Sequence, residues 1–173
     1  MNCKATRTAA FPKRLRRAQT GFSLIELLVV VAIILIIAAI AIPSLMRSRM
    51  AANESGAAES VRTITTGETT YAAACPDTGF SATLNELNTG AICVSGKNII
   101  DSVLGGPDPS VKSGYTFIYT PKAAGGTNTT YSIVALPVAA GVTGNRGFYS
   151  DQTGVIRYSL DGTAPTPTSS ALQ

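Results

Sequence analysis

The 173-residue sequence contains no histidine, and this absence removes several kinds of catalytic site at once. Serine and cysteine nucleophiles usually depend on a histidine base, so the common Ser-His and Cys-His arrangements are excluded. A metal site would need more ligands than three cysteines and scattered carboxylates supply. The sequence also lacks a nucleotide-binding loop, because Gly105-Gly106-Pro107 is not followed by a Lys-Ser/Thr pair. We therefore expect neither an enzyme, nor a metal centre, nor a cofactor.

Charged residues are scarce and unevenly distributed. They make up 14% of the chain, and six of the fourteen basic residues lie in the first twenty positions, which contain no acid. Residues 22–173 hold eight basic and ten acidic residues, so the apparent pI near 9.1 is a property of the N-terminal segment. Beyond that segment the sequence has no basic cluster of the kind that contacts phosphates. We therefore expect no nucleic-acid partner.

The most prominent feature of the sequence is an unbroken apolar stretch, residues 27–42, that follows the basic segment. With residues 22–25 it reaches about the 20 residues that span a bilayer. The preceding positive charges place the N-terminus in the cytoplasm by the positive-inside rule. A secretory signal would have a shorter apolar core with its cleavage site afterwards. Here the small residue, Gly21, precedes the core, so cleavage beside it would remove the charges and keep the apolar helix.

Glu26 places one carboxylate inside this apolar segment. A charge at the centre of a bilayer costs about 2.5–3.5 kcal/mol on insertion scales, so an acid in this position predicts a function and a partner. Cleavage after Gly21 would create an amine on Phe22, four residues away, which is a suitable cation. A buried ion pair is tolerated, whereas a lone buried charge is strongly destabilising.

The order of these residues resembles the leader of type IV pilins and type II secretion pseudopilins. The resemblance extends over residues 14–55, and the matching residues are Gly21, Phe22, Ser23, Leu24, Glu26 and Pro43. It implies that a prepilin peptidase cuts after Gly21 and methylates the new amine on Phe22. It also implies a homo-oligomeric helical filament, in which Glu26 of one subunit meets the Phe22 amine of a neighbour and sets the axial register.

The resemblance also implies partners and a location. The peptidase/methyltransferase, an inner-membrane assembly platform and, before assembly, membrane lipid would contact the chain. A single-pass inner-membrane protein with a periplasmic head would become part of a surface pilus. The alternative is a pseudopilin of a type II secretion system acting in protein export, and a minor pilin with a binding role also stays open. From a different class, an uncleaved leader could simply anchor a monomeric domain.

Cys75 and Cys93 are the two cysteines that follow the leader. An even number of cysteines in the periplasmic context that the resemblance implies favours a disulfide. The bond would close a loop of about 18 residues and contribute roughly 3 kcal/mol on the chain-entropy model. Two free thiols are the alternative.

We expect an α+β, type IV pilin-like fold in which a long N-terminal helix packs its outer half on a small antiparallel sheet. Pro43 should kink or loosen the helix, because proline removes a hydrogen-bond donor. An apolar stripe interrupted by Glu68 should face the sheet. The predicted segments are a leader (1–21), a transmembrane or filament-core helix (22–43), an amphipathic helix (44–74) and a globular head with a flexible C-terminal tail (75–173).

Within the head, short strands separated by glycine-rich turns predict an antiparallel meander. The turn at residues 151–154 is expected to be a plain hairpin rather than a calcium site, because calcium needs about six to eight oxygen ligands. Strands are predicted at 115–120, 131–136, 146–150 and 155–158, and short helical turns at 84–87 and 98–104.

Overall fold

The structure, a computed structural model, describes residues 21–90 and 98–172. By its internal contacts the chain divides into two units, residues 1–40 and 41–173. Its elements are helices α1 (Leu24–Ala74) and α2 (Leu84–Thr89) and strands β1 (Ser110–Lys112), β2 (Tyr115–Ala124), β3 (Thr127–Pro137), β4 (Gly147–Asp151) and β5 (Arg157–Ser159).

Helix α1 begins with a stretch of apolar side chains that the chain itself does not cover. The large apolar residues from Leu24 to Ile42 are all exposed. By length and composition, α1 is apolar enough to cross a membrane. A helix that is apolar all round needs lipid or other protein around it. The helix continues past Pro43 without a break, and the kink predicted there stays a prediction.

The later part of α1 packs on the sheet through the predicted stripe. Ala57, Val61 and Ile64 are fully buried, and so is Glu68. They join one core with inward-facing side chains of the sheet, such as Phe117 on β2. The expected α+β arrangement, a long apolar helix packed on a small antiparallel sheet, is confirmed.

One glycine in α1 has a packing role. A glycine inside a helix costs about 1 kcal/mol relative to alanine, so it calls for a reason. A β-carbon at Gly67 would lie 3.0 Å from Cγ2 of Ile99 and 3.5 Å from a methyl group of Leu87. The missing side chain therefore lets the segment after α2 lie directly against the helix.

The sheet is a five-stranded antiparallel meander in the order β1-β2-β3-β4-β5. The four predicted strands correspond to β2–β5, and β2 and β3 are longer than predicted. They are joined by Gly125 and Gly126, whose φ angles of 64° and 90° suit a tight two-residue hairpin. The sequence prediction missed β1, a three-residue strand that begins after Pro109.

The two short helical turns predicted before the sheet have different outcomes. Residues 84–87 lie in α2, as predicted. Of residues 98–104, only 102–104 lie in a turn, which one helical bond from Gly105 N–H to the Asp101 carbonyl closes at 3.0 Å. The Asp101 carboxylate also accepts N–H groups of Val103 and Leu104. This side chain stabilises a local turn that competes with the helix.

Both outer strands of the sheet are short, with three residues each. Strand β1 has three residues, and its Lys112 forms an ion pair with Asp101 at 2.7 Å. Beside β5, the tail follows a defined path: Tyr158 N–H donates to the Ser170 carbonyl at 3.0 Å, and Leu172 N–H donates to the Ile156 carbonyl at 2.7 Å. The flexibility that composition predicts for the tail stays a prediction.

Candidate processing and assembly segment

The peptide bond between Gly21 and Phe22 lies outside any helix. Both residues are exposed, as is Ser23, and α1 begins only at Leu24. Phe22 is 81% exposed, and among residues 21–90 and 98–172 no group beyond the chain neighbours lies within 4 Å of the position that a Gly21 β-carbon would take. Exposed backbone without regular structure is what a peptidase can bind. The geometry thus leaves the predicted cleavage bond accessible.

Glu26 caps the helix that starts beside this bond. Its Oε2 accepts the backbone N–H of Ser23 at 3.0 Å. Ser23 precedes the first helical residue, and Glu26 is the third, which is the spacing of a capping box. A carboxylate at a helix N-terminus is also stabilised by the helix dipole. The sequence-based prediction did not include this cap by Glu26, although the Ser-x-x-Glu spacing was its signal.

The surroundings of Glu26 are otherwise apolar. A shallow surface cleft of ≈ 410 Å³ lies beside Glu26. Its other lining residues are Phe22, Ile25, Val29 and Val30. The bond from Ser23 occupies one carboxylate oxygen of Glu26. None of the ion pairs among the described residues includes Glu26. A carboxylate surrounded by apolar groups needs a positive partner.

The other predicted site residues lie elsewhere in the chain. Pro43 is inside α1. Cys75 directly follows α1, is 2% exposed and is disulfide-bonded. Cys93 lies outside the described residues, so the Cys75–Cys93 pairing stays a prediction.

The turn after β4 has the geometry of a plain hairpin. Asp151 Oδ1 accepts the N–H of Thr153 at 2.9 Å and its hydroxyl at 2.5 Å. An aspartate that accepts hydrogen bonds two residues ahead forms its own local turn. Within residues 21–90 and 98–172, no three metal-binding side chains come together.

Glu68 is a buried acid that ties α1 to the segment before α2. The hydroxyl of Ser81 donates to its Oε1 at 2.5 Å, and the N–H of Ser81 donates to its Oε2 at 3.0 Å. The hydroxyl of Tyr119 on β2 donates in turn to the Ser81 carbonyl at 2.9 Å. Burial raises the pKa of Glu68, although the bonds from Ser81 oppose the shift.

Glu54 fixes the loop between β3 and β4 to α1. Its Oε1 accepts the N–H groups of Asn145 at 2.8 Å and Arg146 at 3.3 Å. The neighbouring Asn53 donates its side-chain N–H to the Thr143 carbonyl at 2.9 Å. Beside these contacts a surface groove of ≈ 440 Å³ runs along the helix. It is lined by Ala51, Glu54, Ser55, Ala58, Glu59, Arg62, Arg146, Phe148 and Leu172.

Replacing Glu54 by alanine should lower the free energy of unfolding by about 1–3 kcal/mol, because two loop N–H groups lose their acceptor. Thermal denaturation of the detergent-solubilised chain, followed by near-ultraviolet circular dichroism, measures the loss. The control is Glu59→Ala, which removes only an exposed pair with Arg62 and should change stability by less than about 0.5 kcal/mol. Equal effects of the two variants would contradict this role of Glu54.

The sequence comparisons agree with the geometry of the N-terminal segment. Residues 16–42 match the family described as prokaryotic N-terminal methylation motif. This motif is the hallmark of the type IV pilin and pseudopilin family, and the match includes Gly21, Phe22 and Glu26. No curated protein and no solved structure matches the chain significantly.

Proposed function

We propose that this type IV pilin- or pseudopilin-like chain is a structural subunit of a pilus-like filament, assembled through α1 after processing by prepilin peptidase. One observation carries the proposal: within the methylation motif, an accessible Gly21–Phe22 bond precedes a capped acid and an uncovered apolar helix. The motif points to a structural subunit rather than an enzyme.

Processing prepares the segment for assembly. The leader holds the N-terminus in the cytoplasm, the peptidase cuts after Gly21, and methylation keeps the amine of Phe22 basic. The chain then stays in the inner membrane through its apolar helix, with the head in the periplasm. An assembly platform removes it from lipid into a growing filament of identical copies.

Assembly then depends on specific contacts more than on burial. On assembly the exposed apolar side chains of α1 move from contact with lipid to contact with other helices, and both environments are apolar. Without a hydrophobic driving force, packing and polar pairs decide how such helices associate. The pair between Glu26 of one copy and the Phe22 amine of the next therefore supplies register.

A pseudopilin of a type II secretion system remains the second candidate, because the motif is common to both. Its filament would act within the periplasm during protein export. The two roles differ in where the filament is found, not in the chemistry of the N-terminal segment.

The test is mass spectrometry of the chain recovered from native membrane and from sheared surface material. We expect the N-terminal peptide to begin at Phe22 with one added methyl group, and we expect it in both fractions. The internal peptide 50–62 serves as a control for recovery. A processed chain found only in membrane and periplasm would favour the pseudopilin. A chain that retains residues 1–21 would overturn the proposal and favour an anchored monomer.

A further inference from the structure

One end of the sheet lies beside the part of α1 that directly follows the apolar run. There Glu54 accepts the N–H of Asn145 at 2.8 Å, in the loop between β3 and β4. The other end of β4 lies further along the helix, where the hydroxyls of Thr65 and Ser150 are 3.2 Å apart. Residues 138–146 are therefore at the end of the sheet that is nearer the apolar run in sequence.

This end of the sheet carries large apolar side chains that the chain leaves exposed. Val138 is 58% exposed, Val142 60% and Leu160 68%. Leu160 follows β5, and the turn after it packs against the same loop, because a β-carbon at Gly162 would lie 3.3 Å from Cβ of Ala140. Val138, Val142 and Leu160 are called the apolar rim below. Single exposed apolar residues are common, whereas a cluster of them marks an interaction surface.

The valines of the apolar rim stand on an ordered turn. The N–H of Val142 donates to the Ala139 carbonyl at 3.1 Å, and the N–H of Val138 donates to the Gly114 carbonyl at 3.0 Å. Residues 137–144 contain no charged side chain. The backbone bonds thus hold apolar groups outward on a turn that has no charge to keep it in water.

The membrane lies on this side of the head. The apolar run ends at Ile42, so the chain leaves the hydrocarbon there, and both Ile42 and Asn53 belong to the unit of residues 41–173. The helix rises about 16 Å between them, and the lipid headgroups occupy about the first 5–7 Å of this distance. From residue 138 to its tip the loop can extend at most about 10 Å. A modest inclination of α1, such as the usual tilt of about 20°, brings the tip to the headgroups.

The intervening residues of α1 suit a lipid surface. Leu45 and Met46 are 55% and 48% exposed. Arg47 and Arg49 are exposed too, and none of the ion pairs among residues 21–90 and 98–172 includes either. Arginines at the edge of a membrane bury their stems in the interface and place their guanidinium groups at lipid phosphates. The exposed acid beside the rim, Asp161, is bonded to the N–H and hydroxyl of a nearby threonine.

We propose that, before assembly, the apolar rim lies on the bilayer surface, with Arg47 and Arg49 at the lipid phosphates. The inference rests on the proposed function, from which it takes the membrane-anchored stage. The chain itself enters the membrane beside the rim, and the two arginines match lipid phosphates, so lipid is favoured over a second copy. The contact gives the head a fixed lean over the membrane until the chain enters a filament.

A single tryptophan tests the contact, because the chain has none of its own. The full chain with Val142→Trp is reconstituted into vesicles of phosphatidylethanolamine and phosphatidylglycerol that contain a lipid with a nitroxide on its headgroup. The control is Ala124→Trp, on the exposed hairpin whose Asn128 bonds to Thr78, beyond the end of α1. We expect Val142→Trp to show blue-shifted emission and several-fold more quenching by the nitroxide than the control.

An added charge gives an independent readout. Ala139→Asp, combined with Val142→Trp, should lower the quenching, whereas Ala123→Asp on the far hairpin should not. Equal quenching of the two tryptophan variants would overturn the contact and leave the proposed function standing. So would a blue shift that grows with the protein-to-lipid ratio without quenching, since a second copy would then cover the rim. A chain that does not float with the vesicles would overturn both.

Discussion

Replacing Glu26 by glutamine should leave the chain inserted and cleaved after Gly21 but abolish filaments in the sheared fraction. The glutamine carbonyl can still accept the N–H of Ser23, so the helix cap survives and only the charge is lost. A neighbour's Phe22 ammonium would then lie among apolar helices without a counter-ion. Breaking a buried pair in this way costs about 3–5 kcal/mol. Immunoblots of membrane and sheared fractions, with N-terminal mass spectrometry, measure the effect.

Two further variants separate the charge from the cap. Ser23→Ala keeps the backbone N–H that Glu26 accepts, and it should assemble like the wild type. Glu26→Ala removes both the charge and the cap. Like Glu26→Gln, it should fail to assemble. Normal filaments from Glu26→Gln would mean that the acid serves only as a helix cap and that the charge pair does not set register.

Glu68 should make the head less stable as the pH rises above about 4.5. Burial raises the pKa of its carboxyl above the ordinary 4.5, so the folded state holds this proton more tightly than the unfolded state does. The stabilisation is therefore complete below about 4.5 and is lost as the pH rises towards the raised pKa. Glu68→Gln removes this dependence, so its stability should fall less between pH 5 and pH 8.

The other ionisable groups of the head with shifted pKa values should not change its stability over the same pH range. Burial raises the pKa of Tyr71 and Tyr131 to about 12 and that of Tyr119 further, so these phenols stay neutral. The charge of Glu86 on α2 raises the pKa of Glu68 in the same direction as burial does. For Asp151, burial is outweighed by hydrogen bonds from Thr153 that lower its pKa, so its stabilisation is lost only below about 3.8.

Thermal denaturation of the detergent-solubilised chain at several pH values measures the effect of Glu68. As a second variant, Ser81→Ala removes the hydroxyl that donates to the carboxylate, and it should cost about 1–3 kcal/mol at neutral pH. Parallel pH profiles for the wild type and Glu68→Gln would show that Glu68 does not titrate in this range.

The sequence predicted those parts of the fold in which the pattern is long and repeated. The apolar run and the stripe through Val61 and Ile64 identified α1, and alternating residues identified β2 and β3. The short strand β1 was missed because three residues cannot establish an alternation. The helical turn predicted at 98–104 occupies only its second half, where the Asp101 side chain binds nearby N–H groups, a contact that periodicity does not report.

The candidate site was predictable to the extent that it is local. Gly21, Phe22 and Glu26 follow from one short motif, and even the cap by Glu26 was implicit in the Ser-x-x-Glu spacing. Glu54 and Glu68 were not identified, because their partners lie far along the chain. Asn145 is 91 residues from Glu54, and Ser81 is 13 residues from Glu68. Glu68 appeared in the sequence only as an interruption of an apolar stripe.

The hydrogen bonding of the tail beside β5 has a consequence for polymerisation. A chain that joins its copies through α1, as proposed above, must not also join them through another element. Open strand edges would offer backbone hydrogen bonds to every neighbour and lead to irreversible β-aggregates. At the β5 edge the tail already uses these backbone hydrogen bonds, so this edge withholds that competing route. Association through α1, as proposed, then meets less competition from the sheet.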